Sequence, residues 1–385
     1  MDVTPSARRI PEADEHLTLL DQLPRGVPAA CVLGTSGTGL GVIRSLGRRG
    51  VPVVGLDSNP LSPGLRSRYC TGMVCPASDG QQKEFLDLLA RIGERLDGPI
   101  VLVPTSDTDV LAVSRQRETL GRYFRFAMPD APIVEAIVNK RQFAGLLERH
   151  GIPHPFTIFP ADEADLADSS RLLTYPCILK PAYSPAFTKT FGAKLFVARS
   201  KGELLARYRQ ASAAGQEVVV QEIVAGPDTN LYGYGSYVAA GGRALGGFVY
   251  RKVRGYPTGF GLCSMVRSVA SEEVSRAGSD LLQAIGYRGL SEVEFKRDER
   301  DGQLKVIEVN ARTWGENNLA ARCGVDLSFI AYQDLLGRAV EPAPPQREGV
   351  IWLFLANDLR AAAAAFRQGS LSIREYLASL AGERE

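Results

Sequence analysis

Short apolar runs alternate with amphipathic stretches through the first third of the chain. Residues 29–34, 52–57 and 99–104 are near-continuous hydrophobic runs of strand length, the pattern of strands buried on both faces. Val42, Ile43 and Leu46 follow the first run at helical spacing, and residues 82–96 read as a helix before the third run. Strands alternating with helices predict a parallel, doubly wound, Rossmann-like domain over residues 28–130, after a polar N-terminal arm at 1–27.

Beyond about residue 130 the pattern changes. The spacing of Ile133, Ile137, Phe143, Leu146 and Leu147 predicts one helix over 133–150, stopped by Gly151-Ile152-Pro153. Runs at 177–180, 194–197, 217–222, 232–238 and 245–250 then read as strands, with helices at 201–214 and 271–285. The 131–340 region is therefore α+β with mostly antiparallel sheet. A helical segment follows over 341–385, marked by Ala361 to Ala365 and the stretch 372–380.

A chain of 385 residues holds two or three such units at roughly 150 residues each. Its 45 basic and 43 acidic side chains leave a net charge of +2, so no global field draws it to nucleic acid or an anionic membrane. No window of membrane-spanning length is apolar throughout, and residues 1–25 carry no signal-peptide core. Six cysteines without CxxC spacing read as reduced thiols of a cytoplasmic protein. Three histidines, two of them in the interrupted pair His150 and His154, argue against a zinc centre.

Three stretches carry candidate chemistry. The Gly-rich turn Thr35-Ser36-Gly37-Thr38-Gly39-Leu40-Gly41 opens a helix, where a backbone can approach a phosphate or simply turn tightly. Its spacing breaks the GxGxxG pattern at Val42, although Asp57 stands near the distance of a ribose-binding carboxylate, so a nicotinamide-dependent dehydrogenase is a weak alternative. Glu292 to Asp298, a turn at Asp301-Gly302, and Lys305 to Asn310 form a hairpin with an acidic face. Glu308 and Asn310 are two apart on a strand and Glu294 can face them. An oxygen-only set of this kind suits Mg²⁺, and a solvated acidic strand pair would look the same. Lys180 ends an apolar strand, Lys140 lies in the preceding helical stretch, and the run through Gln221, Glu222, Val224 and Asp228 leaves a strand for a short connector. Ammonium groups so placed suit phosphate oxygens.

In order and spacing these parts resemble the ATP-grasp superfamily over about residues 28–335, including a Rossmann-like domain ahead of the nucleotide-binding part. The resemblance implies a nucleotide cleft between two α+β subdomains. It assigns Lys140 and Lys180 to the ATP phosphates, Gln221, Glu222 and Val224 to the adenine hinge, and Asp228 to the ribose. Glu294, Glu308 and Asn310 would hold Mg²⁺, or Mn²⁺ in its place. The segment 183–194 departs from the family, having one glycine where many members carry a Gly-rich phosphate flap; Ser184, Thr188, Lys189 and Lys194 are its polar candidates.

Most members activate a carboxylate as an acyl phosphate that an amine then attacks. The resemblance therefore implies an ADP-forming carboxylate–amine ligase acting on small molecules, with a nucleotide-binding protein without turnover as the alternative. Arg312 is the first candidate to stabilise the tetrahedral anion and Arg254 the second. Ser36, Thr38, Ser106 and Asp107, in loops at the carboxyl ends of parallel strands, with Trp314 and Asn317, are expected to line the acceptor side. A homodimer is compatible with relatives of this size.

Overall fold

The computed structural model describes residues 17–383 except 97, 183–186, 188 and 189. The chain divides into two compact units, one drawn from Met1–Val134, Gly233–Glu292 and Asn310–Glu385, the other from Glu135–Tyr232 and Val293–Val309.

In the first unit, β1 (Ala30–Leu33), β2 (Val53–Asp57), β3 (Thr71–Val74), β4 (Ile100–Pro104) and β5 (Phe124–Arg125) form a sheet in the order β3-β2-β1-β4-β5. Every pair is parallel. The three expected runs are three of these strands, and every residue of β1 is buried. In β3 only Met73 is buried, too little apolar signal to announce a strand. The order reverses between β1 and β4, so the loops after those two strands flank the point where open α/β sheets bind ligands. Leu17 and Leu20, expected in a polar arm, are instead buried in the core under this sheet with Phe85, Leu89 and Ile92.

The second unit carries β6 (Thr157–Ile158), β7 (Cys177–Pro181), β8 (Phe196–Ala198) and β9 (Val218–Glu222) in an antiparallel sheet ordered β6-β9-β7-β8. Helices Glu163–Ser169 and Lys201–Ala213 contribute Leu166, Leu204 and Ala211 to its core. The single helix expected over 133–150 is two, Ala131–Val138 and Lys140–Arg149. Asn139 makes the break: its backbone is extended and its Oδ1 accepts from the N–H groups of Arg141 and Gln142 at 3.0 and 3.1 Å. An asparagine side chain that caps so well competes with a continuous helix.

A third sheet holds β10 (Leu231–Val238), β11 (Ala244–Tyr256), β12 (Leu262–Ser268), β13 (Gly289–Arg297), β14 (Leu304–Asn310) and β15 (Ile351–Leu353), ordered β14-β13-β10-β11-β12-β15. The expected hairpin is β13 and β14. β11 continues past residue 250 to Tyr256, with a register shift between Lys252 and Arg254, the local kink a bulge produces. The C-terminal segment contributes β15, paired to β12, then helices Leu355–Arg367 and Ile373–Ser379. Among the described residues no helix is long and apolar enough to cross a membrane.

Candidate active site

In the second unit the apolar run of β7 delivers Lys180 to a polar place. Lys180 Nζ donates to Gln221 Oε1 at 2.8 Å across the β7–β9 pair, and Gln221 Nε2 donates to Thr157 Oγ1 at 2.9 Å. Burial holds the Lys180 ammonium below the usual lysine range. The carboxylates of Glu308 and Glu294 work against that shift and the charge of Lys140 works with it. These four side chains therefore share one electrostatic neighbourhood, with Lys140 at the first position of its helix. Two ammonium groups beside two carboxylates, one ammonium partly desolvated, is an arrangement that polyphosphate and a divalent cation would complete.

The connector after β9 has its backbone partly engaged. The Glu222 N–H donates to the Phe156 carbonyl at 2.9 Å, and Val224 is buried. The Glu222 side chain is taken up elsewhere, accepting from the Phe156 N–H at 3.1 Å and pairing with Arg300 at 3.3 Å and Lys305 at 3.5 Å. Both cations also grip Asp298, whose carboxyl lies well below the usual range, first through Arg300 and, against the cost of burial, through Lys305. This network ties the β13–β14 turn to the end of β9. Asp228 opens a single 3-10 turn, half-buried.

In the first unit a hydrogen-bonded relay assembles around the end of β14. Asn310 Nδ2 donates to Glu292 Oε2 at 2.8 Å, and Tyr250 donates to Glu292 Oε1. Arg312 Nη2 donates to Asn310 Oδ1 at 2.9 Å, and its Nε donates to Asp107 Oδ1 at 2.8 Å. Burial, and next the charge of Glu316, push the Glu292 carboxyl up to about 8, against the pull of Tyr250, Arg312 and Asn310. Of the expected residues this brings Asn310, Arg312 and Asp107 together. Glu292 was not expected, and only its place two residues before Glu294 could have signalled it.

The remaining candidates sit as follows. Ser106 caps the helix Asp107–Arg115, its Oγ accepting from the Asp109 N–H at 3.1 Å and donating to Asp109 Oδ2 at 2.5 Å. Ser36 is exposed at the start of helix Gly37–Gly47 and uses no side-chain capping bond among the described residues. Thr38 offers its carbonyl to Asn317 Nδ2 at 3.0 Å. Asn317 is buried against Gly41, where any Cβ would come within 2.2 Å of its Oδ1. Trp314 is 1% exposed in a core cluster and lies against Gly235, so it lines no open surface. The flap residues Ser184, Thr188 and Lys189 lie outside the described residues. Asp57 accepts from the Thr35 N–H at 2.6 Å and from Thr35 Oγ1 at 3.1 Å, shaping the Gly-rich turn.

Arg254 corrects an expectation. Its Nε and Nη2 donate to both oxygens of Asp358 at 2.8 and 2.9 Å, Nη1 donates to Ser379 Oγ at 2.7 Å, and the guanidinium stacks over Tyr376 at 4.9 Å. Asp358 is fully buried. The register shift before Arg254 turns it toward the C-terminal helices, where it fastens the tail and has little left for a substrate.

The donor set tests the expected cation. Glu294, Glu308 and Asn310 offer only oxygens, as a hard divalent ion requires. Asn310 fits because its NH₂ is turned to Glu292, leaving Oδ1 as the acceptor, with one lone pair beyond that used by Arg312. Mg²⁺ would be held by these three.

A family model described as carbamoyl-phosphate synthase L chain, ATP binding domain, matches residues 264–340. Among curated relatives, D-aspartate ligase of Enterococcus faecium (strain Aus0004) is 23% identical over 292 residues, 72% of this chain and 69% of the relative. Among solved structures, an ADP complex of N5-carboxyaminoimidazole ribonucleotide synthetase superposes with a TM-score of 0.64 at 14% identity, covering 82% of this chain and 78% of that one. L-amino acid ligase from Bacillus licheniformis gives 0.59 at 16% identity, covering 82% and 77%. At such identities the structural likenesses speak for the fold, which is that of ATP-grasp proteins, and the family model and the curated ligases are what the chain resembles in sequence.

Proposed function

We propose that this chain is an ADP-forming carboxylate–amine ligase that activates a small-molecule carboxylate as an acyl phosphate and joins it to an amine. The observation that carries the reading is Lys180: a strand-end ammonium, partly desolvated, beside Lys140, Glu294 and Glu308. A carboxylate and the γ-phosphate of ATP repel one another, so their approach needs cations on both. Lys140 and Lys180 neutralise phosphate oxygens, backbone groups at Gln221–Val224 read the adenine, and Asp228 takes the ribose hydroxyls. Glu294, Glu308 and Asn310 would hold Mg²⁺, or Mn²⁺ in its place, and the ion would supply the remaining positive charge. Arg312 donates to the oxygen that gains charge as the amine adds to the acyl carbon.

In this reading residues 28–130 present the acceptor side through Ser36, Thr38, Ser106 and Asp107, 131–340 form the nucleotide-binding domain, and 341–385 anchor it. D-aspartate ligase and L-amino acid ligase, by their names, join amino acids. Their likeness supports amino acids as the first substrates to try. The dehydrogenase alternative loses its main support, because Asp57 holds Thr35.

The test is an ADP-release screen with ATP and Mg²⁺ across amino acids, dipeptides and simple carboxylic acids, repeated with Glu308→Gln. Mg²⁺-dependent ADP formation with one acid–amine pair, lost in the variant, is the expected result. Tight ATP binding without ADP release for any pair would instead favour a nucleotide-binding protein without turnover.

A further inference from the structure

We infer that Glu292 is a positioning residue for the cation site, acting through Asn310; the inference rests on the ligand role proposed for Asn310. An asparagine amide has two ends of similar shape, and only its oxygen can bind a cation. Two contacts decide which end is which. Glu292 Oε2 accepts from Asn310 Nδ2 at 2.8 Å, and Arg312 Nη2, which can only donate, lies 2.9 Å from Asn310 Oδ1. Glu292 is 3% exposed and Asn310 8% exposed, so water is a poor substitute for either bond.

Glu292 is itself held. Tyr250, 1% exposed, donates to its other oxygen, so the carboxylate receives one donor on each side and has little freedom to turn. Arg312 carries the same chain on to Asp107. A carboxylate costs free energy to bury, and at this position an alanine or valine would satisfy the strand. Orienting the amide of a neighbouring ligand needs an acceptor fixed in place, which the Glu292 carboxyl supplies between Asn310 and Tyr250. Outer partners of this kind change metal affinity by about 10- to 100-fold when removed.

The experiment is a Mn²⁺ titration in the presence of ADP, read by the loss of the free-ion electron paramagnetic resonance signal, on the full chain. Glu292→Leu leaves the Asn310 amide without its acceptor, so Mn²⁺ affinity should fall about tenfold or more, with ADP binding in the absence of metal unchanged. The second variant, Glu292→Leu with Asn310→Asp, presents an oxygen at both ends of residue 310, so nothing needs to orient it. It should bind Mn²⁺ within about threefold of the parent. Full affinity in Glu292→Leu overturns the inference, as does a folded double variant that binds Mn²⁺ no better than the single one. If the single variant does not fold, the double variant alone decides: parent-like affinity supports the inference and a tenfold loss overturns it. A parent chain that binds ADP but no Mn²⁺ removes the proposed cation site itself, a result distinct from either.

Discussion

The guanidinium of Arg312, just past the end of β14, meets the Asp107 carboxylate at 2.8 Å, so the loop after β4 and the end of the acidic hairpin are joined by a charged hydrogen bond. Asp107 is about half exposed and Arg312 about one fifth. The pair is worth little as a stability device; in the proposed reading it aims the guanidinium. Arg312→Lys loses the planar fork while keeping the charge. The expected outcome is a fall in kcat for ADP formation of about 10²-fold or more, with a melting temperature near that of the parent. Steady-state kinetics beside a thermal melt checks both halves.

Lys180 gives a pH prediction. Its ammonium titrates below the usual lysine range because burial disfavours the charged form. ATP affinity should therefore weaken as pH rises, at pH values below those at which an ordinary lysine, near 10.4, loses its proton. Lys180→Arg should remove that alkaline loss, because guanidinium keeps its proton there. Lys180→Met should weaken ATP binding about 10- to 100-fold, the worth of a charged hydrogen bond. Calorimetric titration of ATP across the alkaline range measures all three.

Arg254 and Asp358 form a bidentate ion pair whose carboxylate is fully buried. Removing one partner strands the other. Arg254→Ala should lower the unfolding free energy by about 3–5 kcal/mol, read by urea denaturation, while the folded fraction keeps its ATP affinity. A loss of ATP binding without destabilisation would return Arg254 to the site.

Asp298 makes acid stability depend on one carboxylate. Its folded-state pKa lies below the unfolded value, held down first by Arg300 and also by Lys305. The stabilisation is fully present above the unfolded pKa, about 3.9, and is lost as pH falls below it. Asp298→Asn should thus be clearly less stable than the parent at pH 7, with the difference shrinking steadily through pH 4 to 3. Urea midpoints at these pH values give the comparison.

The apolar runs at 29–34, 52–57 and 99–104 placed three strands of the parallel sheet because continuous burial on both faces leaves an unbroken hydrophobic trace. β3 and β12 left no such trace. Their edge or half-buried positions mix Thr, Gly, Ser and Arg with the apolar residues, and neighbouring strands complete them. β15 is wholly apolar, Ile351-Trp352-Leu353, but too short a run to stand apart from the helix that follows it. Asn139 had a local signal that was outvoted: the apolar spacing around it runs through a cap that splits the helix.

The sequence by itself determined the hairpin that carries Glu294, Glu308 and Asn310, the strand that ends at Lys180, and the order in which they follow one another. Each depends on patterns a few residues long. Only the tertiary structure decided what the side chains face. It turned Arg254 into the tail, sank Trp314 and Asn317 into the core, and set Glu292 against Asn310. Those outcomes depend on contacts between segments tens to hundreds of residues apart, where a hydrogen-bond partner is chosen by packing and burial, and no spacing along the chain encodes it.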